Sequence, residues 1–184
     1  MSSFANFPKI ETTNLILRRI SYNDINDLFE MRNDPRMNEH TDTKPDATTD
    51  ETKLYIDKMN KGIDDDKWII WAIEYKQSNK VIGSICIWNI NKELESGELG
   101  YGIIPEYQGR GLMKEALLSV VNYGFDMMGL KGLEAYTEEQ NLKSISLLES
   151  INFIEINRVD DEGYFNNRVY HMIGYRIEKS NFNK

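Results

Sequence analysis

Alternating apolar and polar residues predict strands in the first part of the chain. Residues 14–20 alternate in this way. Three further segments do so between short turn-rich stretches, and they follow one another closely enough to form an antiparallel meander. The meander strands are predicted over residues 68–75, 81–89 and 94–103.

Two helices are predicted between the first strand and the meander. Ser21 with Asp24 forms a helix-opening pair, and this helix runs to about Asn33, just before an Asp-Pro pair that ends it. Thr48 and Glu51 form a second opening pair, followed by apolar residues at helical spacing. A polar loop joins the two helices.

The second part of the chain begins with a long helix. Its apolar positions recur at i, i+3, i+4 and i+7, which suits a helix that covers a sheet: Met113, Ala116, Leu117, Val120, Val121, Gly124, Phe125 and Met128. After Gly129 the pattern predicts a strand, a fourth helix and a hairpin, over residues 133–137, 141–151, 153–160 and 164–177. A strand, helix and strand in this order should be parallel and right-handed, so a mixed sheet with helices on both faces is expected.

A glycine-punctuated turn lies between the last meander strand and this long helix. It reads Gln108-Gly109-Arg110-Gly111-Leu112-Met113-Lys114. Glycines allow a tight turn in which successive N–H groups and the first helical turn point to one place. Free donors and the positive end of the helix dipole favour an anion there, so the turn is interpreted as a cradle for a phosphorylated cofactor. The spacing is neither that of a dinucleotide fold nor that of a Walker loop.

Two elements in order resemble the GNAT superfamily of acetyl-CoA dependent N-acetyltransferases. The glycine turn is similar to the pyrophosphate signature Gln/Arg-x-x-Gly-x-Gly/Ala, and Met113 stands where that signature has a small residue. Asn141 to Phe153 resembles the second cofactor element, an Asn opening a helix that ends in Gly-Phe. The order of elements matches over residues 10–178. Similarity to the Rim-type branch, which contains ribosomal-protein amino-terminal acetyltransferases, rests on residues 12–18, 32–35, 98–101 and 111–116.

The resemblance implies an α/β (α+β) GNAT fold in one domain over residues 1–184. It predicts a central mixed, mostly antiparallel sheet of about seven strands, splayed in the middle, with four helices on both faces. Acetyl-CoA is the implied cosubstrate. Its pyrophosphate is expected on the amides from Gln108 to Lys114, with the helix beginning near Gly109. Its pantetheine arm should pair with backbone groups of Ile103 and Ile104, and Pro105 suits a strand that splays away.

Family members transfer the acetyl group by direct attack of a neutral amine in a ternary complex. At pH 7, deprotonation costs roughly 1 kcal/mol for an α-amine of pKa about 7.8 and roughly 4.6 kcal/mol for a lysine of pKa about 10.4. The implied acceptor is a protein amino terminus or small amine. Glu98, on the strand that approaches the splay, is the predicted base. The alternative is a surface carboxylate paired with a neighbour.

Departure of the thiolate calls for a hydrogen-bond donor. Many GNAT enzymes use a Tyr on the fourth helix, where this chain has Leu148. Ser144, one turn earlier on the same helical face, is the predicted replacement. Ser144 and Asn141 have an alternative interpretation as helix-opening residues that satisfy backbone groups. Asn152 replaces the usual Gly before Phe153, and Asn tolerates the left-handed conformation needed there.

Composition narrows the remaining functional classes. A net charge of −8 argues against nucleic-acid binding, and the sequence lacks an apolar run long enough to span a bilayer. A cytoplasmic monomer or homodimer is expected. The lone Cys86 is interpreted as a core residue, and no metal site is predicted.

His40, in the loop between the first two helices, is a candidate contact for the acceptor amine. A catalytically silent acyl-CoA-binding regulatory module remains the alternative function, because Leu148 cannot donate a proton.

Overall fold

The computed structural model describes residue 4 and residues 6–182. The strands are β1 Ile10–Glu11, β2 Leu15–Arg18, β3 Ile69–Tyr75, β4 Lys80–Asn91, β5 Ser96–Ile103, β6 Gly132–Glu138, β7 Ile154–Glu162 and β8 Val169–Glu178. The helices are α1 Ile25–Asn33, α2 Thr49–Asp64, α3 Leu112–Asp126, α4 Leu142–Glu149 and α5 Lys179–Phe182, with 3-10 turns at Tyr22–Asp24 and Pro105–Tyr107. Within these residues, every helix falls short of the length and apolar content needed to cross a membrane.

The described strands form one mixed sheet in the order β1-β2-β3-β4-β5-β6-β8-β7. Neighbouring strands are antiparallel except β5 and β6, which are parallel on either side of the α3 crossover. The predicted mixed, mostly antiparallel architecture is therefore confirmed. The structure has one strand and one helix more than predicted, β1 and α5. They are two and four residues long, and segments this short carry no readable periodicity.

Several predicted boundaries move because local backbone geometry overrides the apolar pattern. The long helix α3 begins at Leu112 and not near Gly109, because Gly109 and Gly111 both adopt positive φ angles, +73° and +77°. The last strand begins at Val169, since the residues before it form the hairpin turn. At the start of α2, the Thr48 side chain makes no capping hydrogen bond, although the predicted opening pair included Thr48.

The two faces of the sheet carry different helices. On one face, the cross-strand neighbours Trp71, Ile85 and Tyr101 lie beneath α3, and the Trp71 ring packs edge-on against Tyr123 of that helix at 5.3 Å between centroids. On the opposite face lie Cys86, Glu98, Gly100 and Gly102, together with α1 and α2. The α4 helix joins α3 on the first face, because Ser144 Oγ contacts the Tyr101 hydroxyl and Lys114 Nζ donates to the carbonyl of Ser150, the residue after α4.

Strands β5 and β6 separate part-way along their length. Their parallel pairing runs from Ser96 opposite Gly132 to Leu99 opposite Ala135, and it ends there. Beyond this point β5 continues to pair only with β4, up to Ile103, and β6 continues only with β8. We call the resulting space, between residues 100–103 and residues 136–138, the gap. It corresponds to the predicted splay.

Candidate active site

The glycine turn stands at the open end of the gap. Gly109 and Gly111 hold left-handed conformations, and a Cβ on either would meet no atom of the described residues within 4 Å. These glycines are therefore required by the backbone, and they border open space. The first bond of the α3 ladder runs from the Glu115 N–H to the Gly111 carbonyl at 3.0 Å. The N–H groups of Leu112 to Lys114 precede it and lack intrahelical acceptors, so the turn can hold an anion.

Three cationic side chains lie in or beside the glycine turn, although the chain has a net charge of −8. The Arg110 guanidinium lies 5.3 Å from the ring centroid of Tyr107. Lys114 Nζ donates to the Ser150 carbonyl at 3.2 Å, which ties the start of α3 to the end of α4. Lys143 of α4 is a neighbour that the sequence did not indicate. This local excess of positive charge favours phosphate groups.

Gln108 lies between the turn, α4 and the end of β5. Its Nε2 donates to the Ile103 carbonyl at 3.0 Å, and its Oε1 accepts from Lys143 Nζ at 2.7 Å. Both ends of the side chain are thus occupied within the protein. Its backbone N–H donates to the Pro105 carbonyl at 3.1 Å, which corrects the expectation that the Gln108 amide holds the pyrophosphate. Gln108 therefore braces the end of the gap, and the amides left for a ligand begin at Gly109.

The backbone of Ile104 does not face the gap, which corrects the expectation that it pairs with pantetheine. Its N–H donates to the Ile82 carbonyl at 2.9 Å, and its carbonyl accepts from the Tyr107 N–H at 3.0 Å. Backbone groups alternate in direction along an antiparallel strand, so the N–H of Ile103 points to the opposite edge of β5, toward the gap. Ile103 is therefore the better placed of the two predicted residues.

Ser144 contacts a tyrosine that the sequence analysis did not single out as functional. Asn141 Oδ1 caps α4 by accepting from the Ser144 N–H at 3.2 Å, whereas Ser144 Oγ lies 2.9 Å from the hydroxyl of Tyr101. Burial raises the pKa of Tyr101 to about 12, although the bond to Ser144 opposes this rise. The phenol therefore keeps its proton. We assign it as the donor, which leaves the Ser144 hydrogen free for another acceptor.

Glu98 lies on the opposite face of the sheet, beside the point where β5 and β6 separate. Its cross-strand neighbour Glu134 accepts from Arg176 at 2.7 Å, whereas the Glu98 carboxylate accepts a long hydrogen bond from Asn89 Nδ2 at 3.5 Å. Burial raises the pKa of Glu98, the Asn89 contact opposes this, and repulsion from Glu134 adds to the rise. A carboxylate of raised pKa is a stronger base than an ordinary one.

His40 reaches the gap from the loop between α1 and α2. Its Nδ1 lies 3.0 Å from Oε2 of Glu138, a buried carboxylate at the end of β6. Sequence analysis missed Glu138 because it lies one residue beyond the predicted strand and 98 residues from His40. An acidic residue directly after an apolar strand was the available signal.

Two departures from the family pattern, Leu148 and Asn152, are accommodated by packing and backbone geometry. Leu148 is fully buried, and Asn152 has a φ of +67°, the left-handed conformation expected there.

Cys86 is a partly buried residue that packs against the hydrophobic core, and its burial raises the pKa of the thiol to about 12. Such a thiol stays protonated and is a poor nucleophile.

Residues 14–154 match the family described as the acetyltransferase (GNAT) domain. The chain belongs to the GNAT acetyltransferase family. This confirms the family resemblance carried by the glycine turn and the Asn141 helix. The match covers the gap, Glu98 and Ser144, while most of the final hairpin lies outside it.

Relatives of this GNAT chain cover nearly its whole length. The uncharacterized N-acetyltransferase YoaA of Bacillus subtilis is 27% identical over 173 residues, which are 94% of this chain and 98% of that protein. The ribosomal-protein-S5-alanine acetyltransferase of Vibrio fischeri has a TM-score of 0.82 at 20% identity, covering 95% of this chain and 98% of that one. Spermidine N-acetyltransferase of Vibrio cholerae, solved with CoA and spermine, has a TM-score of 0.80 at 23% identity, covering 94% and 100%. These structures share the fold.

Proposed function

We propose that this GNAT protein transfers the acetyl group of acetyl-CoA to a primary amine, either a protein amino terminus or a small amine. The observation that carries the proposal is the gap between β5 and β6, with the amino-terminal end of α3 at its open end. The acceptors named for the solved relatives, ribosomal protein S5 and spermidine, support both acceptor types.

The residues around the gap fit acetyl-CoA. The N–H groups from Gly109 to Lys114 would hold the pyrophosphate, and the N–H of Ile103 would pair with the pantetheine arm. Acetyl-CoA supplies an activated thioester, so the protein needs no nucleophile of its own. Its tasks are to orient the two substrates, to accept a proton from the amine and to hydrogen-bond the departing sulfur.

Glu98 and Ser144 divide the two proton tasks between the faces of the sheet. Glu98 faces α1 and α2, where the loop between these helices would admit the amine, and it takes the proton of the amine directly or through water. Ser144 lies on the α3 and α4 face and donates a hydrogen bond to the departing thiolate, with its hydroxyl oriented by Tyr101. The C–S bond breaks as the C–N bond forms, and the thiolate takes its proton from solvent. The proton accepted by Glu98 returns to solvent.

Glu98→Gln is expected to lower kcat/KM by about 100-fold near pH 6 and by less as pH rises. The deficit shrinks because solvent increasingly deprotonates the amine without help from the protein. In the wild type, the raised pKa of Glu98 makes the rate fall as pH drops through that value and the carboxylate becomes protonated. Rates measured from pH 6 to 9 test this, provided that chemistry limits turnover.

Glu93→Gln is the matched control for Glu98→Gln, because Glu93 is an exposed carboxylate on the turn before β5. It should retain the wild-type profile. A Glu98→Gln deficit that stays constant across the pH range would assign Glu98 a positioning role.

A panel of acceptors tests the amine class. Spermidine, other small amines, peptides with free amino termini and peptides with internal lysines are incubated with acetyl-CoA and read by mass spectrometry. We expect acetylation of amino termini or small amines. Products confined to internal lysines would overturn the acceptor assignment while leaving the acetyltransferase activity in place.

The other properties stay predictions from the sequence. These are a single domain over residues 1–184, a cytoplasmic location, a monomer or homodimer, and the lack of a metal, nucleic-acid or membrane partner.

A further inference from the structure

The loop between α1 and α2 crosses the gap on the Glu98 face of the sheet. At one side it contacts β5, since a Cβ on Gly102 would lie 3.1 Å from the Met37 side chain. At the other side it reaches β6, where His40 meets Glu138. Strand alternation places Gly102 and Glu138 on the same face as Glu98. His40 and Glu98 therefore border the gap from one side of the sheet.

Glu138 is buried, with 2% of its surface exposed, yet its carboxylate is well supplied with donors. Oε2 faces His40 Nδ1 at 3.0 Å and accepts from the Gln140 N–H at 3.1 Å, and Oε1 accepts from Arg168 at 3.4 Å. Burying a carboxylate is unfavourable unless donors replace its water. This arrangement keeps the carboxylate as an acceptor, so His40 Nδ1 is the donor of their shared hydrogen bond.

The Glu138 bond fixes which nitrogen of His40 carries a proton. With the proton on Nδ1, the neutral imidazole has its lone pair on Nε2, on the side of the ring turned away from Glu138. Nε2 lies 4.0 Å from the exposed carboxylate of Glu39, beyond hydrogen-bond distance. The ring edge that carries Nε2 is thus an oriented acceptor at the border of the gap.

We propose that His40 Nε2 accepts a hydrogen bond from an N–H of the acceptor amine, and that Glu138 is the positioning residue that holds the imidazole for this contact. The inference rests on the proposed acetyltransferase function and adds a contact for the second substrate. His40 acts in binding the amine, while Glu98 remains the base.

The loop is also attached to the final hairpin by bonds that do not involve the imidazole. Arg168 donates to the Glu39 carbonyl at 3.0 Å, and the Tyr170 hydroxyl donates to the Thr41 carbonyl at 3.1 Å. The Asp42 carboxylate accepts from backbone N–H groups at the hairpin turn. A change at Nε2 should therefore leave the loop in place.

His40→Asn is the test variant, because the Asn amide can still donate to Glu138 but has nothing at the position of Nε2. With spermidine and with an alanine-initiated peptide amide, we expect the KM of the better acceptor to rise about 10-fold, the effect of losing one hydrogen bond. The kcat, the CoA affinity and the melting temperature should stay close to wild type. His171→Asn is the matched control, since His171 Nδ1 bonds Asp160 at 2.8 Å in a comparable pair outside the gap.

Glu138→Gln tests whether Glu138 positions His40 or only stabilises the fold. The variant should raise the acceptor KM in the wild-type background and have little further effect in the His40→Asn background, because Glu138 acts through His40. A wild-type acceptor KM in His40→Asn, or fully additive effects in the double variant, would overturn the inference. Wild-type protein that releases no CoA with any amine contradicts the proposed function itself, and this inference with it.

Discussion

Gly111→Val is expected to weaken CoA binding by about 100-fold or more in a protein that still folds. Gly111 has a φ of +77°, which a β-branched residue adopts only with strain of roughly 1–2 kcal/mol. The new side chain would also enter the open space in front of the first N–H groups of α3, where we place the pyrophosphate. Calorimetric titration with CoA measures the effect.

Gly129→Val is the matched control for this substitution. Gly129 follows the other end of α3, has a φ of +73°, and also borders open space among the described residues. Both variants should lose similar thermal stability, but only Gly111→Val should lose CoA affinity. Equal CoA affinity in the two folded variants would place the pyrophosphate somewhere other than the glycine turn.

Ser144→Ala is expected to lower kcat by about 10- to 1,000-fold, in the range typical for loss of a proton donor, with CoA affinity nearly unchanged. Tyr101→Phe should reproduce part of this loss, because Ser144 would keep its hydroxyl but lose the bond that orients it. Adding Tyr101→Phe to Ser144→Ala should lower kcat little further, since the two hydroxyls act as a unit.

Ser146→Ala serves as the control for Ser144→Ala, because Ser146 is an exposed serine on the same helix. Steady-state kinetics and calorimetry on the variants separate catalysis from binding. A wild-type kcat in Ser144→Ala would reject the donor role and leave Ser144 as a residue of the first turn of α4.

Much of the fold was predictable because its elements have strong, separate periodicities. The meander strands and α3 were located within a few residues, and the parallel β5–β6 pair followed from the crossover rule. The features that were missed leave no mark on the periodicity of apolar residues. The start of α3 depends on the positive φ angles of Gly109 and Gly111, and the strand β1 is only two residues long.

The candidate site was predictable where chemistry is local in the chain. The glycine turn and the Asn141 cap are short segments whose conformation can be predicted from their residue types. The contacts of Ser144 with Tyr101, and of His40 with Glu138, join residues 43 and 98 positions apart, so only the folded chain reveals them. The exclusion of Ile104 depends on the direction of one N–H group, which the sequence does not encode as a pattern.

Release of free CoA at steady state, measured with acetyl-CoA and the amine panel, tests the central claim most directly. The account predicts continuous release over many turnovers that depends on the presence of an acceptor amine and is lost in Gly111→Val at low acetyl-CoA. Tight binding of CoA without turnover on any amine would contradict the account and favour a regulatory module that only binds acyl-CoA.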